Sequence, residues 1–148
     1  MKILFVCTGN TCRSPMAQGI AQKIASDGNL QTQALSAGIM VAPGSTVSSF
    51  SVEALKEYNI DISSHIPTQL DLNILSESDL VVTMTKAHKE MIINAAPQFA
   101  DKVKTFSEFT LDDDISDPYG ADLNTYKKCA SQIYDAVVKL YERIKTDE

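Results

Sequence analysis

No apolar run in this 148-residue chain comes near the roughly 18 residues a membrane-spanning helix needs; the longest, Ile3 to Cys7, has five. Lys2 alone before Ile3 is too weak a basic region for a signal peptide. A water-soluble, cytoplasmic protein without membrane insertion is expected. A basic surplus is also missing: 13 Lys and Arg stand against 19 Asp and Glu, a net charge of −6, and no basic block exceeds the pair Lys127-Lys128. That disfavours nucleic-acid binding through counterion release. Cysteine is scarce and odd in number, with only Cys7, Cys12 and Cys129, which argues against a disulfide framework and for at least one free thiol. Repeats, low-complexity tracts and linkers are absent too. With 44% apolar and 22% charged residues the composition is globular, and residues 1–148 are expected to form a single domain and a monomer.

What is present alternates between two periodicities. Lys2 to Cys7 is a near-continuous β-branched and aromatic run stopped by Thr8-Gly9-Asn10, the pattern of a strand buried on both faces and so central in a parallel sheet. Ser14-Pro15 then offers an N-cap and a first-turn proline, and Met16, Ile20 and Ile24 recur at helical spacing up to Asp27-Gly28-Asn29. Leu30 to Gly38 reads as a second strand, Ser45 to Tyr58 as a helix after the Pro43-Gly44 loop, and Leu70 to Leu75 as a short helix. Ser78 to Met84 reads as a third strand, Lys86 to Ala95 as a helix ending before Pro97, and Val103 to Phe106 as a fourth strand. Leu123, Tyr126, Ala130, Ile133, Tyr134, Val137 and Leu140 mark the last helix. This order predicts an α/β fold, a doubly wound four-stranded parallel sheet with helices on both faces, whose ligand sits beyond the carboxyl ends of the strands.

The loop after the first strand, Cys7-Thr8-Gly9-Asn10-Thr11-Cys12-Arg13-Ser14, carries the chemistry. Five residues between Cys7 and Arg13 can close into a cup with inward backbone N–H groups, Gly9 and Asn10 being tolerant of positive φ, and a helix N-terminus adds its dipole. Such a cup, built by Thr8, Gly9, Asn10, Thr11 and Cys12, suits a tetrahedral dianion. Arg13 can grip two of its oxygens with a planar fork. Cys7 would lie beneath the phosphorus, where the N–H groups, the dipole and a Ser14 hydroxyl favour a thiolate nucleophile that needs no histidine base. Cys129, on the last helix, reads instead as a small buried apolar side chain. Cys12, on the same tight loop, either captures a sulfenate formed on Cys7 or packs beneath the loop. No metal or other cofactor is expected, since His65 and His88 are the only other soft ligands and none of these residues has finger-like spacing.

Phosphoryl transfer through cysteine needs a proton donor for the leaving group and later a base for water. Of the four aspartates between Leu111 and Gly120, only Asp117 is stiffened by a following proline and flanked by an aromatic ring, Tyr119, that could wall a pocket. A plain acidic turn leading into the last helix is the alternative.

At these two stretches the chain resembles the low-molecular-weight protein tyrosine phosphatase family, with its V-C-x-G-N-x-C-R-S-P loop and late D-P-[YF] loop. The likeness extends to Ser36-Ala37-Gly38, Ser64-His65 and Asp79 to Met84. It implies Cys7 as nucleophile, Arg13 as phosphate clamp, Ser14 as hydrogen-bond donor to the thiolate, and Asp117 as general acid and then base. It also implies that Asn10 is held in the loop by Ser36 and His65, and that the substrate is a phosphorylated protein cleaved through a phosphocysteine. Thr11, in Cys-Thr-Gly-Asn-Thr-Cys-Arg-Ser-Pro, resembles the protein arginine phosphatase branch, where tyrosine-directed members carry an aliphatic residue. A hydroxyl in the pocket wall suits a guanidinium better than an aryl ring, and Gly120 after Tyr119 avoids a deeper aromatic slot. Phosphoarginine is therefore expected over phosphotyrosine. Two other readings stand behind these: a thioredoxin-coupled arsenate reductase, which needs a mid-chain cysteine pair absent between Arg13 and Lys128, and a non-catalytic phosphopeptide binder, which could dispense with Cys7 and Asp117.

Overall fold

A computed structural model describes residues 1–146, so the last two residues of the expected single domain lie outside the described residues. Its centre is β1 (Lys2–Cys7), buried from Ile3 onward because it has a neighbour on each edge and helices on each face. The sheet is four-stranded in the order β2-β1-β3-β4, with β2 (Gln33–Gly38), β3 (Leu80–Thr83) and β4 (Val103–Thr105), every pairing parallel. Strand alternation sorts the core into two layers. Ile3 and Phe5 pack with α1 (Arg13–Asp27), α2 (Ser49–Lys56), α5 (Phe106–Thr110) and α6 (Leu123–Thr146). Leu4 and Val6 pack on the opposite face with Leu75 of α3 (Leu72–Glu77) and Ile92 of α4 (Lys86–Ala95). The Phe5 and Phe106 rings stack at 5.7 Å in the first layer. Because the chain leaves β1 for β2 on one side and returns to β3 on the other, a crevice opens at the ends of β1 and β3, as the doubly wound arrangement requires.

Several boundaries differ from the periodicity, each for a local reason. α1 starts at Arg13, so Ser14 sits inside its first turn; the N-cap residue is Cys12, with no side-chain cap hydrogen bond. Leu30 belongs to the helix end instead of β2. Asn29 takes φ 54°, its N–H bonds to Ser26 O at 3.4 Å, and the Leu30 N–H reaches Ala25 O at 2.8 Å, a Schellman closure with Asn in the left-handed position. α2 begins only at Ser49, where the Ser48 hydroxyl accepts the Ser51 N–H at 3.4 Å. Phe106 opens α5, which the strand reading absorbed. Its capping box is complete: Thr105 Oγ1 accepts the Glu108 N–H at 3.3 Å and Glu108 Oε2 accepts the Thr105 N–H at 2.7 Å. A 3-10 turn at Pro97–Lys102 also went unanticipated. Among the described residues no helix is long and apolar enough to cross a membrane.

Candidate active site

The first loop of the chain leaves β1 at Cys7 and must turn within a few residues to enter α1. Asn10 makes the turn, fully buried with φ 57°. Gly9, which could also take a positive φ, does not. The glycine the loop needs is Gly38, at the end of β2 beside Cys7. A Cβ there would stand 2.8 Å from Thr8 O and 2.9 Å from both Gly9 C and Asn10 N, all of them backbone atoms unable to step aside. Gly38→Ala is therefore expected to fold, because the strand ladder is intact, yet to displace the loop and lower kcat/KM at least about 100-fold, in line with the penalty for roughly 1 Å of misplacement. Near-parental kcat/KM in that variant would show that the loop tolerates the added carbon.

Asn10 then organises the cup in a way that fixes hydrogen-bond directions. Its Oδ1 accepts the Thr68 N–H at 2.8 Å, so its Nδ2 is the donor that reaches Ser14 Oγ at 2.7 Å and Ser36 Oγ at 3.0 Å. Ser36 Oγ donates its own hydrogen bond to Gln18 Oε1 at 2.6 Å. Ser14 Oγ, already accepting from Asn10, has its hydrogen left for Cys7 Sγ at 2.9 Å. His65 Nε2 faces two acceptors, Asn10 O and Oδ1, both at 3.1 Å, and so carries the hydrogen. Burial lowers the pKa of His65, against the raising effect of the Asn10 carbonyl. Ser36, His65, Asn10 and Ser14 thus form one connected network under Cys7.

Arg13 is buried at the mouth of α1, its Nη1 donating to Ile115 O at 2.9 Å and its Nη2 standing 3.6 Å from Asp117 Oδ2. Of the four aspartates in the acidic stretch, Asp117 alone lines the cleft. Asp112 pairs with Lys139 at 3.5 Å, and Asp114 caps α4 through the Lys86 N–H at 3.2 Å. Asp117 Oδ1 accepts the Tyr119 N–H at 3.1 Å, and Gly120 completes the turn at φ 79° with the Ala121 N–H on Pro118 O at 2.9 Å. Glycine at 120 is therefore demanded by the turn, so its presence says nothing about which side chain is cleaved.

The cleft holds about 350 Å³ between Cys7, Thr8, Gly9, Thr11, Cys12 and Arg13 on one side and Asp117 and Tyr119 on the other. Its third wall, Met40, Ala42 and Ser45, comes from the loop after β2 and was not anticipated. The available signal was topological: in this fold the loops at the carboxyl ends of adjacent strands share one crevice. A larger groove of about 450 Å³ behind α1 is lined by no cysteine. Cys12 packs beneath the loop with its Sγ 3.4 Å from Tyr126 Oη, a phenol that burial and that contact raise to about 12. Burial likewise pushes the Cys129 thiol up to about 12. All three cysteines are unpaired. Among the described residues no group of three or more His, Cys, Asp or Glu is arranged to hold a metal ion.

His88, set aside above as a metal ligand, lies beside the cleft loop. It is buried, its Nε2 lies 2.9 Å from Thr8 Oγ1, and its Nδ1 has no partner. Burial first and then the Arg13 guanidinium push the imidazole down to about 4, against the opposing pull of Asp117 and Asp114.

The model of the family described as low molecular weight phosphotyrosine protein phosphatase matches residues 2–148. A protein-arginine-phosphatase of Bacillus subtilis is 35% identical over 149 residues, covering 99% of each chain. The crystal structure of a low molecular weight protein tyrosine phosphatase from T. tengcongensis superposes with a TM-score of 0.93 at 43% identity, covering 97% of this chain and 99% of that one. A shorter match, 50% identical over 82 residues, covers 55% of this chain and 58% of an arsenate reductase from Staphylococcus haemolyticus.

Proposed function

The chain belongs to the low molecular weight phosphotyrosine protein phosphatase family and is a phosphoprotein phosphatase, and from that premise we propose that it cleaves phosphoarginine in proteins, using Cys7, Arg13, Ser14 and Asp117. The observation that carries the catalytic part is the Ser14 hydroxyl 2.9 Å from Cys7 Sγ at the floor of a cleft walled by Arg13 and Asp117. The phosphoryl group enters the cup of Thr8, Gly9, Asn10, Thr11 and Cys12, and Arg13 turns its fork onto two oxygens. Cys7 Sγ attacks phosphorus; the bond to the leaving nitrogen breaks as Asp117 supplies the proton that nitrogen needs. Asp117, now a carboxylate, takes a proton from water as that water attacks the phosphocysteine, releasing phosphate and restoring the sulfur. Ser36 and His65 serve by holding Asn10. Residues 1–148 act as one catalytic domain, a monomer in the cytoplasm that engages phosphorylated proteins and neither nucleic acid nor membrane.

The choice of arginine rests on Thr11, which lines the cleft, and on the relative from Bacillus subtilis that is named for that activity. Phosphotyrosine is the second reading, favoured by the relative from T. tengcongensis, which is named for tyrosine. Thioredoxin-coupled arsenate reduction, which relays a disulfide to a mid-chain cysteine pair, is disfavoured because no cysteine lies between Cys12 and Cys129. A binding module is separated by one assay, turnover of p-nitrophenyl phosphate. The specificity test is kcat/KM on matched phosphoarginine and phosphotyrosine peptides. The parent enzyme should prefer phosphoarginine, and Thr11→Ile should shift the ratio toward phosphotyrosine by roughly 10–200-fold, the range one pocket side chain commands. A parent enzyme favouring phosphotyrosine would overturn the arginine assignment and leave the phosphatase standing.

A further inference from the structure

The cup has a second polar brace, on the side away from Asn10. β3 ends beside β1, with Thr83 opposite Val6, so the helix that follows starts next to the loop after Cys7. Thr85 caps that helix, its Oγ1 accepting the His88 N–H at 3.1 Å. A first-turn side chain leans toward the N-terminus of its helix, and here the lean carries the imidazole to the loop, with Nε2 2.9 Å from Thr8 Oγ1. Thr8 is itself exposed and lines the cleft with Cys7, Arg13 and Asp117.

The unpartnered Nδ1 decides which way this hydrogen bond runs. With the proton on Nδ1, the ring would bury a donor that has no acceptor, and orphaned buried N–H groups are rarer than under-satisfied acceptors. With the proton on Nε2, only a lone pair is left bare, and Nε2–H donates to Thr8 Oγ1. The threonine oxygen is then occupied as an acceptor, and its own hydrogen is free to turn into the cleft. The ring does this without adding charge: the groups facing it are Arg13 of α1 and Asp114 and Asp117 of the acidic loop, and at neutral pH their balance and its burial keep it uncharged.

We infer that His88 is a positioning residue for phosphoryl binding: as the Nε2–H tautomer it turns the Thr8 hydroxyl so that the O–H donates to an oxygen of the group held above Cys7. This rests on the phosphoryl site described above. It adds a neutral donor to the charged grip of Arg13, and it makes α4, which has no residue among those lining the cleft, part of what shapes it.

The test compares the parent enzyme with Thr8→Val, His88→Leu, the double variant and His88→Gln. Inorganic phosphate is the competitive probe, and the melting temperature is followed in parallel. Thr8→Val and His88→Leu should each raise the phosphate inhibition constant about tenfold, the order expected for losing a hydrogen bond to a charged group. The double variant should be no worse than either single one, because both remove the same donor. His88→Gln, whose amide can present an N–H near the position of Nε2, should recover phosphate binding to within about threefold of the parent. Nitrogen-15 spectra of the parent should report the Nε2–H tautomer at pH 7. A purely packing role for His88 would lower the melting temperature and leave the inhibition constant alone, which would overturn the inference. So would an unchanged constant in Thr8→Val, additive losses in the double variant, or an Nδ1–H tautomer. If His88→Leu fails to fold, the Thr8 variant at an exposed position and the tautomer measurement on the parent still decide. Parent turnover of p-nitrophenyl phosphate is read in the same samples, and its absence would count against the phosphatase reading itself.

Discussion

A Cys7→Ser protein is expected to show no hydrolysis of p-nitrophenyl phosphate above a buffer control, a loss of at least about 10⁴-fold of the kind seen when a sole nucleophile is removed, while still binding phosphate or vanadate. The size of the loss follows from what surrounds the sulfur. The Ser14 hydroxyl lies 2.9 Å from Cys7 Sγ at the foot of the cup, a setting that serves a thiol far better than a serine hydroxyl, whose phosphate ester would also be much harder to hydrolyse than a phosphocysteine. A serine would need a general base, and the two histidines are both committed elsewhere: His65 to Asn10 at 3.1 Å and His88 to Thr8 at 2.9 Å. The cup itself does not depend on the sulfur, because Asn10 is held by Thr68, Ser36 and His65 and Arg13 by the Ile115 carbonyl. Anion binding should therefore stay within a few-fold of the parent. Measurable turnover in the variant would show that the reaction does not run through the thiol.

Whether a feature could be read from the sequence depends on how locally it is made. β1 is legible because five consecutive residues, Ile3 to Cys7, are buried by neighbours on both sides, which leaves an unbroken apolar run. Cys7, Arg13 and Ser14 are legible for a similar reason: strand end, loop and first helical turn are contiguous, so their spacing alone closes the cup. Asp117 is marked by its proline. Met40, Ala42 and Ser45 reach the cleft only because β2 pairs with β1 and Gly38 lets the two loops touch, and nothing in residues 40–45 records that pairing. His88 likewise acquires its partner through the β1–β3 pairing, eighty positions away in the chain from Thr8. The Thr105-Phe106-Ser107-Glu108 capping box was local and could have been read. The β-branched and aromatic residues Val103, Thr105 and Phe106 masked it, since β propensity there outweighed a cap whose helix is only five residues long.

Asp117→Ala is expected to have its effect in proportion to how badly the leaving group needs a proton. Asp117 sits half-exposed at the lip of the cleft, oriented through the Tyr119 N–H at 3.1 Å and within 3.6 Å of Arg13, a position from which one oxygen can face solvent and the departing atom in turn. The parameter to compare is kcat/KM, because it reports the steps up to departure of the leaving group and is blind to later hydrolysis of the phosphocysteine, in which the same carboxylate is proposed to act as base. For a phosphorylated side chain on a peptide, kcat/KM should fall by about 10²–10⁴-fold, the usual contribution of general acid catalysis. For p-nitrophenyl phosphate it should fall less than about tenfold, since nitrophenolate departs without a proton and little acid assistance is left to lose. A phosphoarginine peptide should suffer more than a phosphotyrosine peptide, because a guanidine nitrogen is the poorer leaving group. Equal losses on all three would take Asp117 out of the acid role, and with none of Asp112, Asp113 and Asp114 lining the cleft, they would point to water as the source of the proton.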